Sequence, residues 1–147
     1  MSMKFKIILS LALLFTDAII AFQAQRLGLP DNGAEPHDRF GSTVTSSGDW
    51  AAISAPNDSS GTENTYGSVY MYQRVAGEWL LRQKLSQPEP RTRQSAFGRV
   101  TAMDSGTLIV SCGSAVMVYL LQENQWRYQT TVITRDFGIS SLAIRGG

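Results

Sequence analysis

The sequence is poor in the residues that build reactive sites. Its 147 residues include one cysteine, Cys112, and one histidine, His37. A single cysteine excludes an intrachain disulfide, and with one histidine it also excludes the cysteine–histidine patterns of zinc sites. A Ser-His-Asp triad would have to use His37, and no G-x-S-x-G element is there to present a nucleophile. Glycine-rich phosphate cradles are absent as well. Neither sign of charge dominates, with 13 Lys and Arg against 12 Asp and Glu. That balance offers no attraction for nucleic acid or an anionic membrane surface. Helical periodicity is missing beyond the first 21 residues. Cys112 lies in the apolar run LIVSCG, where a thiol packs as a small hydrophobe and has no local base to activate it.

What is present begins with an export signal. Residues 1–21 read MSMKFKIILSLALLFTDAIIA, with Lys4 and Lys6 ahead of an apolar run from Ile7 to Phe15. This is the layout of a secretory signal peptide, with cleavage expected after Ala21 and Ala24 as the alternative site. An uncleaved anchor is the rival reading. Against it, the run is shorter than the ~20 residues of a membrane span, and Asp17 interrupts its second half. The expected location is therefore secreted, extracellular or in a cell envelope. Removing Lys4, Lys6 and Asp17 with the signal leaves a neutral mature chain.

The rest of the chain alternates short apolar runs with turn signals. Strands are expected at Phe22–Leu29, Ser42–Ser46, Trp50–Ala55, Ser68–Val75 and Glu78–Leu85. A second series runs Arg99–Met103, Leu108–Cys112, Val116–Leu121 and Gln125–Ile133. Ser47–Gly48–Asp49 and Asp104–Gly106 are tight hairpin turns, while NDSSGTENT is a longer polar loop. The spacing repeats. Phe40 to Ile53 matches Phe97 to Val110, and Tyr72 to Trp79 matches Tyr119 to Trp126. Ten additional residues enter the first unit between its second and third strands, around Asn57–Tyr66. Fixed spacing within strands and variable length between them mark a repeated β unit. Each unit is a four-stranded antiparallel meander the size of a propeller blade. Its inner strands are apolar on both faces, and its fourth strand carries Glu78, Arg82 and Lys84, or Arg127.

At Phe40–Gly41, Ile53–Ser54–Ala55–Pro56 and Gly67–Ser68–Val69–Tyr70 the chain resembles the FG-GAP repeat family, the blades of integrin-α-type β-propellers. Phe97–Gly98, Val110–Ser111–Cys112–Gly113 and Val118–Tyr119 repeat the resemblance. Phe137–Gly138 opens a third copy. The resemblance covers roughly residues 37–147 and implies an all-β partial propeller, with two four-stranded blades and the first strand of a third. Residues 22–36 then form an outer strand and its loop. The Phe of each motif is expected to fill space between blades, and the Gly to permit positive φ or close backbone approach. Trp79 and Trp126 recur at equivalent positions and are expected to pack; Trp50 could stack on a sugar if exposed.

Many members of that family hold calcium between the first two strands of a blade. Here those connections are only Ser47–Gly48–Asp49 and Asp104–Ser105–Gly106, too few oxygens for the six to eight that calcium takes. No cofactor is expected, with the acidic loop Asn57–Asn64 as the one alternative calcium ligand. Asn57–Asp58–Ser59 is a candidate N-glycosylation sequon. Glycoside hydrolysis would need paired carboxylates. The candidates Asp38, Asp49, Asp58, Glu63, Asp104 and Asp136 mostly fall at turns, where solvated acids are expected. Arg91 and Arg93 are expected to be solvated loop residues.

Two blades do not close a ring, which typically takes four to eight. The expectation is a fragment of a larger propeller, or self-assembly that supplies the missing blades. The expected function is that of a binding or adhesion scaffold for a protein or glycan, without catalysis. The loops Asn57–Gly67 and Gln87–Ser95 would carry the binding. A truncated product without activity and, less favoured, a propeller glycosidase are the alternatives.

Overall fold

The computed structural model describes residue 27 and residues 36–58, 67–88, 96–133 and 139–145. The signal segment, the expected first strand apart from Leu27, Glu63, Arg91, Arg93, Asp136 and the Phe137–Gly138 motif lie outside these residues. Two four-stranded antiparallel sheets form in simple up-and-down order. The first contains β1 (Val44–Ser47), β2 (Trp50–Ala55), β3 (Ser68–Val75) and β4 (Glu78–Ser86). The second contains β5 (Thr101–Asp104), β6 (Thr107–Cys112), β7 (Ala115–Gln122) and β8 (Gln125–Ile133). Among the described residues no helix is long and apolar enough to cross a membrane.

The hairpin turns follow from local chemistry. Ser105–Gly106 and Glu123–Asn124 place both central residues at positive φ. Such turns match the right-handed twist of the strands they join. The first strand of each unit starts later than the alternation predicts, at Val44 and Thr101. The residues just before it are committed to a turn. Ser42 N–H donates to Arg39 O at 3.1 Å, and Arg99 N–H donates to Ala96 O at 3.1 Å. Gly41 and Gly98 occupy the third positions of these turns at φ 86° and 88°. A type II turn requires that conformation, and glycine adopts it without strain.

The turns are fastened to the second strand in the same way in both units. Gly41 N–H donates to Ser54 O at 2.8 Å, and Gly98 N–H donates to Ser111 O at 2.9 Å. Ser54 N–H donates to Thr43 O, and Ser111 N–H to Val100 O. The serine hydroxyls add a third bond, accepting from Thr43 N–H at 2.9 Å and from Val100 N–H at 2.8 Å. The buried serine of the Ile-Ser and Val-Ser motifs is thus the latch of the Phe-Gly turn.

Strand alternation sends side chains to opposite faces, and here both faces of β2 and β3 are buried. Trp50, Ala52, Val69, Met71 and Leu85 join Phe97, Met103, Leu108, Val110, Met117, Tyr119 and Trp126 in one core between the sheets. Ala51, Ile53, Ala55, Tyr70 and Tyr72 form a second cluster on the far face, with Leu27, Phe40 and Trp79 against it. Cys112 is buried. Trp50 and Trp126 meet edge to face at 5.7 Å, and Phe97 meets Tyr119 at 6.2 Å.

Polar contacts tie the sheets together along four lines, one of them from the Tyr119 hydroxyl to Ser86 O at 3.3 Å. The hydroxyls of Thr43 and Thr101 lie 2.9 Å apart. Ser105 N–H donates to Ser47 Oγ at 3.2 Å. The Gln83 amide makes a two-way bridge to the Trp126 backbone, donating to its carbonyl and accepting from its N–H, each at 2.9 Å. That bridge fixes the orientation of the amide.

Each outer pair carries one bulge. Register slips between Met71 and Tyr72 leave Arg82 without an opposite residue, and between Val118 and Tyr119 they do the same to Gln129. Residues 139–145, the described part of the third unit, form no strand. A strand requires a ladder partner, and none reaches them among the described residues.

Candidate functional site

The strand order puts the β1–β2, β3–β4, β5–β6 and β7–β8 turns at one end of the sheets. The Phe-Gly turns and the β2–β3 connection lie at the other. Each end holds one polar arrangement that the repeat itself does not require.

At the Phe-Gly end, the long β2–β3 connection is held at its root by a buried acid. Asp58 lies three residues beyond the end of β2 and is 2% exposed. The Tyr70 hydroxyl donates to its Oδ2 at 2.7 Å, and Lys84 Nζ lies 2.7 Å from the same oxygen. Lys84 also sits over the Tyr70 ring, 5.2 Å from its centre. Backbone bonds complete the anchor, from Asp58 N–H to Ala55 O and from Gly67 N–H to Asp58 O, both at 3.1 Å. Asp38, also buried, accepts Asn57 N–H on its carbonyl at 3.2 Å. The second unit has no such root, because a two-residue turn at Gly113–Ser114 replaces the loop.

Asp38 and Asp58 therefore depart from the expected solvated turn acids. Both are buried, and Asp58 is neutralised by Lys84 and accepts a hydrogen bond from Tyr70. Asp49 does match that expectation, exposed and paired with Arg74 at 2.9 Å. His37 is exposed in a short 3-10 turn, Pro36–Asp38. Asn57 is half-buried. Among the described residues no three or more His, Cys, Asp or Glu side chains gather as a metal-binding group.

Burial, then the bond to Asp58, pushes the Tyr70 hydroxyl far above the ordinary tyrosine value of 10.0. Burial likewise raises Tyr119. A phenol raised in the fold favours the native state below pH 10, and that contribution is lost as pH climbs beyond it. Alkaline titration followed at 295 nm should therefore show Tyr70 and Tyr119, two of the five tyrosines, ionising only as the protein unfolds, with Tyr72 also held upward by burial. Smooth ionisation of all five near pH 10 in a folded chain would show these two phenols to be open to water.

The turn end carries a groove of about 420 Å³ between the sheets, lined by Gln73, Arg82, Gln83, Asn124 and Gln125. Arg82 Nε donates to Gln73 Oε1 at 3.1 Å. The sequence reading missed these residues. The available signal was a break in alternation. Gln73 and Gln83 fall on the face that also carries Val69, Met71 and Leu85, where an apolar residue is the rule. The entry of Arg82 depends on the bulge, which no local pattern announces.

The motif residues have structural work. Phe97 is fully buried and Phe40 half-buried. Trp126 and Trp50 are buried, so Trp50 presents no ring for sugar stacking. Trp79 is half-buried, with Arg74 lying 5.7 Å from its ring centre.

Residues 24–72 match the family model of the FG-GAP repeat. The match takes in β1, β2 and β3 as far as Tyr72. The second sheet lies outside it yet reproduces the same turn, serine latch and bulge. No curated protein and no solved structure matches the chain.

Proposed function

With residues 24–72 an FG-GAP repeat, we propose that the chain is a secreted propeller-type module that binds a protein or glycan ligand without catalysing a reaction. One observation carries this reading. The repeated motif is consumed by packing and latching, while the polar features unique to one unit stand at the two ends of the sheets. Ends and loops are where scaffolds of this type hold ligands. The buried root at Asp58 supports the end nearest Asn57, since it fixes the base of the β2–β3 connection there. A glycosidase reading gains nothing from Asp58, whose carboxylate is occupied by a lysine and a phenol.

The outer face of the second sheet bears on assembly. Ile109, Val116, Val118 and Leu120 are half-buried there, and Val132 is 52% exposed. On the first sheet the equivalent face is covered by the next unit. A further sheet, from this chain or another copy, would complete the same packing.

The test is direct. The full chain is expressed with its N-terminus, and the exported product is sequenced and probed on glycan arrays and against purified extracellular proteins. Export with cleavage near Ala21 and saturable binding to one ligand class are expected. Retention in the cytoplasm, or an absence of any saturable binding, would overturn the proposal.

A further inference from the structure

We infer that the groove between β4 and the β7–β8 turn is a site for an acidic sugar, with Arg82 receiving its carboxylate. This rests on the scaffold reading and names a site and ligand class for it. The fold does not need the groove to be polar. By repeat equivalence the second sheet carries Leu120, Gln129 and Thr130 where the first carries Gln73, Arg82 and Gln83. The same architecture therefore accepts leucine at the position of Gln73. Gln129 and Thr130 are polar too, but neither carries a charge, so the glutamine at position 73 and the cation at position 82 are the departures confined to the first unit.

The bulge supplies the cation. In a regular strand Arg82 and Gln83 would point to opposite faces, and Gln83 faces the second sheet. The extra residue in the register re-aims Arg82, so both line the groove. Gln73 then orients the guanidinium through Nε. Among the described residues no hydrogen bond engages its two terminal nitrogens. A guanidinium held by Nε offers those nitrogens as donors to a carboxylate. Gln83 is unavailable to a ligand, since its amide is spent on Trp126. It acts as the fixed floor.

The remaining walls decide between ligand types. Asn124 and Gln125 each offer a donor and an acceptor, and the NH2 half of the Gln73 amide adds donors. Paired donors and acceptors suit the hydroxyls of a sugar ring. Among the described residues no aromatic or aliphatic side chain lines the groove, so a peptide would find no pocket there for the apolar anchors that dominate protein interfaces. Its volume of about 420 Å³ lies within the range of small-ligand clefts, ~300–1,000 Å³. The nearby acid, Glu123, is drawn toward Arg127 at 3.6 Å.

The experiment titrates the full chain with trisaccharides bearing glucuronate, galacturonate or sialate, and with their neutral counterparts. Calorimetry gives affinity, and side-chain NMR of Arg82, Asn124 and Gln125 gives location. At least one acidic sugar should bind saturably, shift those three signals and weaken as salt rises. The exposed substitution Arg82→Gln should lower its affinity about tenfold, equivalent to about 1.4 kcal/mol. Arg82→Lys, which keeps the charge and loses the fork, should fall between. Equal binding of neutral and acidic sugars, or binding unaffected by Arg82→Gln, would overturn the inference. So would binding by none of these sugars. Signals moving only around Asn57 would remove this site while leaving the scaffold reading in place. No ligand on any array would remove both.

Discussion

Replacing Phe97 with alanine should destabilise the protein by about 3–5 kcal/mol, the cost of removing a fully buried aromatic side chain. The melting temperature should fall by roughly 10–15 °C. The size follows from its place. Phe97 is 0% exposed within the core that both sheets share, and it meets Tyr119 edge to face. A cavity there weakens the contact between the sheets as well as the second sheet itself. Phe40 holds the same position in its own turn but is only half-buried, so Phe40→Ala should cost about 1–3 kcal/mol. Thermal melts of the two variants check this. Equal losses would mean that the two motifs pack alike, contrary to their surroundings.

Gly67→Ala should cost about 3 kcal/mol, combining backbone strain with overpacking. Gly67 sits at φ 79°, and a Cβ on it would collide with the Phe97 carbonyl oxygen, with the Phe97 nitrogen at 2.9 Å and Pro56 O at 3.0 Å. Backbone cannot swing aside as a side chain can. Two other glycines separate the contributions. Gly41 has φ 86° and open space around its Cβ position, so Gly41→Ala should cost about 1 kcal/mol, from conformation alone. Gly98 would bring a Cβ to 2.9 Å from Val69 Cγ2 and 3.2 Å from Ser54 Cβ, and should fall between. Urea unfolding of the three variants tests that order. If all three lose the same stability, close approach contributes nothing and φ is the whole effect.

These two sites show why the Phe-Gly motif was legible and its neighbour was not. Phe97 and Gly98 are adjacent, recur at fixed spacing and can be read as a pair. Gly67 looks like any loop glycine. Its importance comes from the Phe97 backbone, thirty positions along the chain, pressing against it. Asp58 illustrates the same limit. In sequence it is one acid in a polar, turn-rich stretch, which ordinarily stays in water. It is buried because β3 and β4 bring Tyr70 and Lys84 to one oxygen, a meeting that depends on strand register.

The strands were readable because period-2 alternation and turn chemistry act over a few residues. Val69 and Met71 against Tyr70 and Tyr72 declare a strand buried on both faces. The first strand of each unit starts two residues late, at Val44 and Thr101, because the turn ahead of it claims residues that alternation alone assigns to the strand, while the other strands of the two sheets agree to within one residue at each end.

By itself, then, the sequence determined an all-β chain of repeated four-stranded units, with Phe-Gly turns whose spacing sets where each unit begins. It also excluded an intrachain disulfide and the familiar zinc and triad chemistries, since those need residues the chain does not have. The tertiary structure alone decided that Ser54 and Ser111 latch the turns, that Asp58 anchors the long loop, and that Arg82 enters a groove between the sheets. The physical reason is common to all three. Alternation and turn preference are properties of neighbouring residues, whereas a hydrogen bond across strands or a bulge that re-aims a side chain exists only once distant segments have paired.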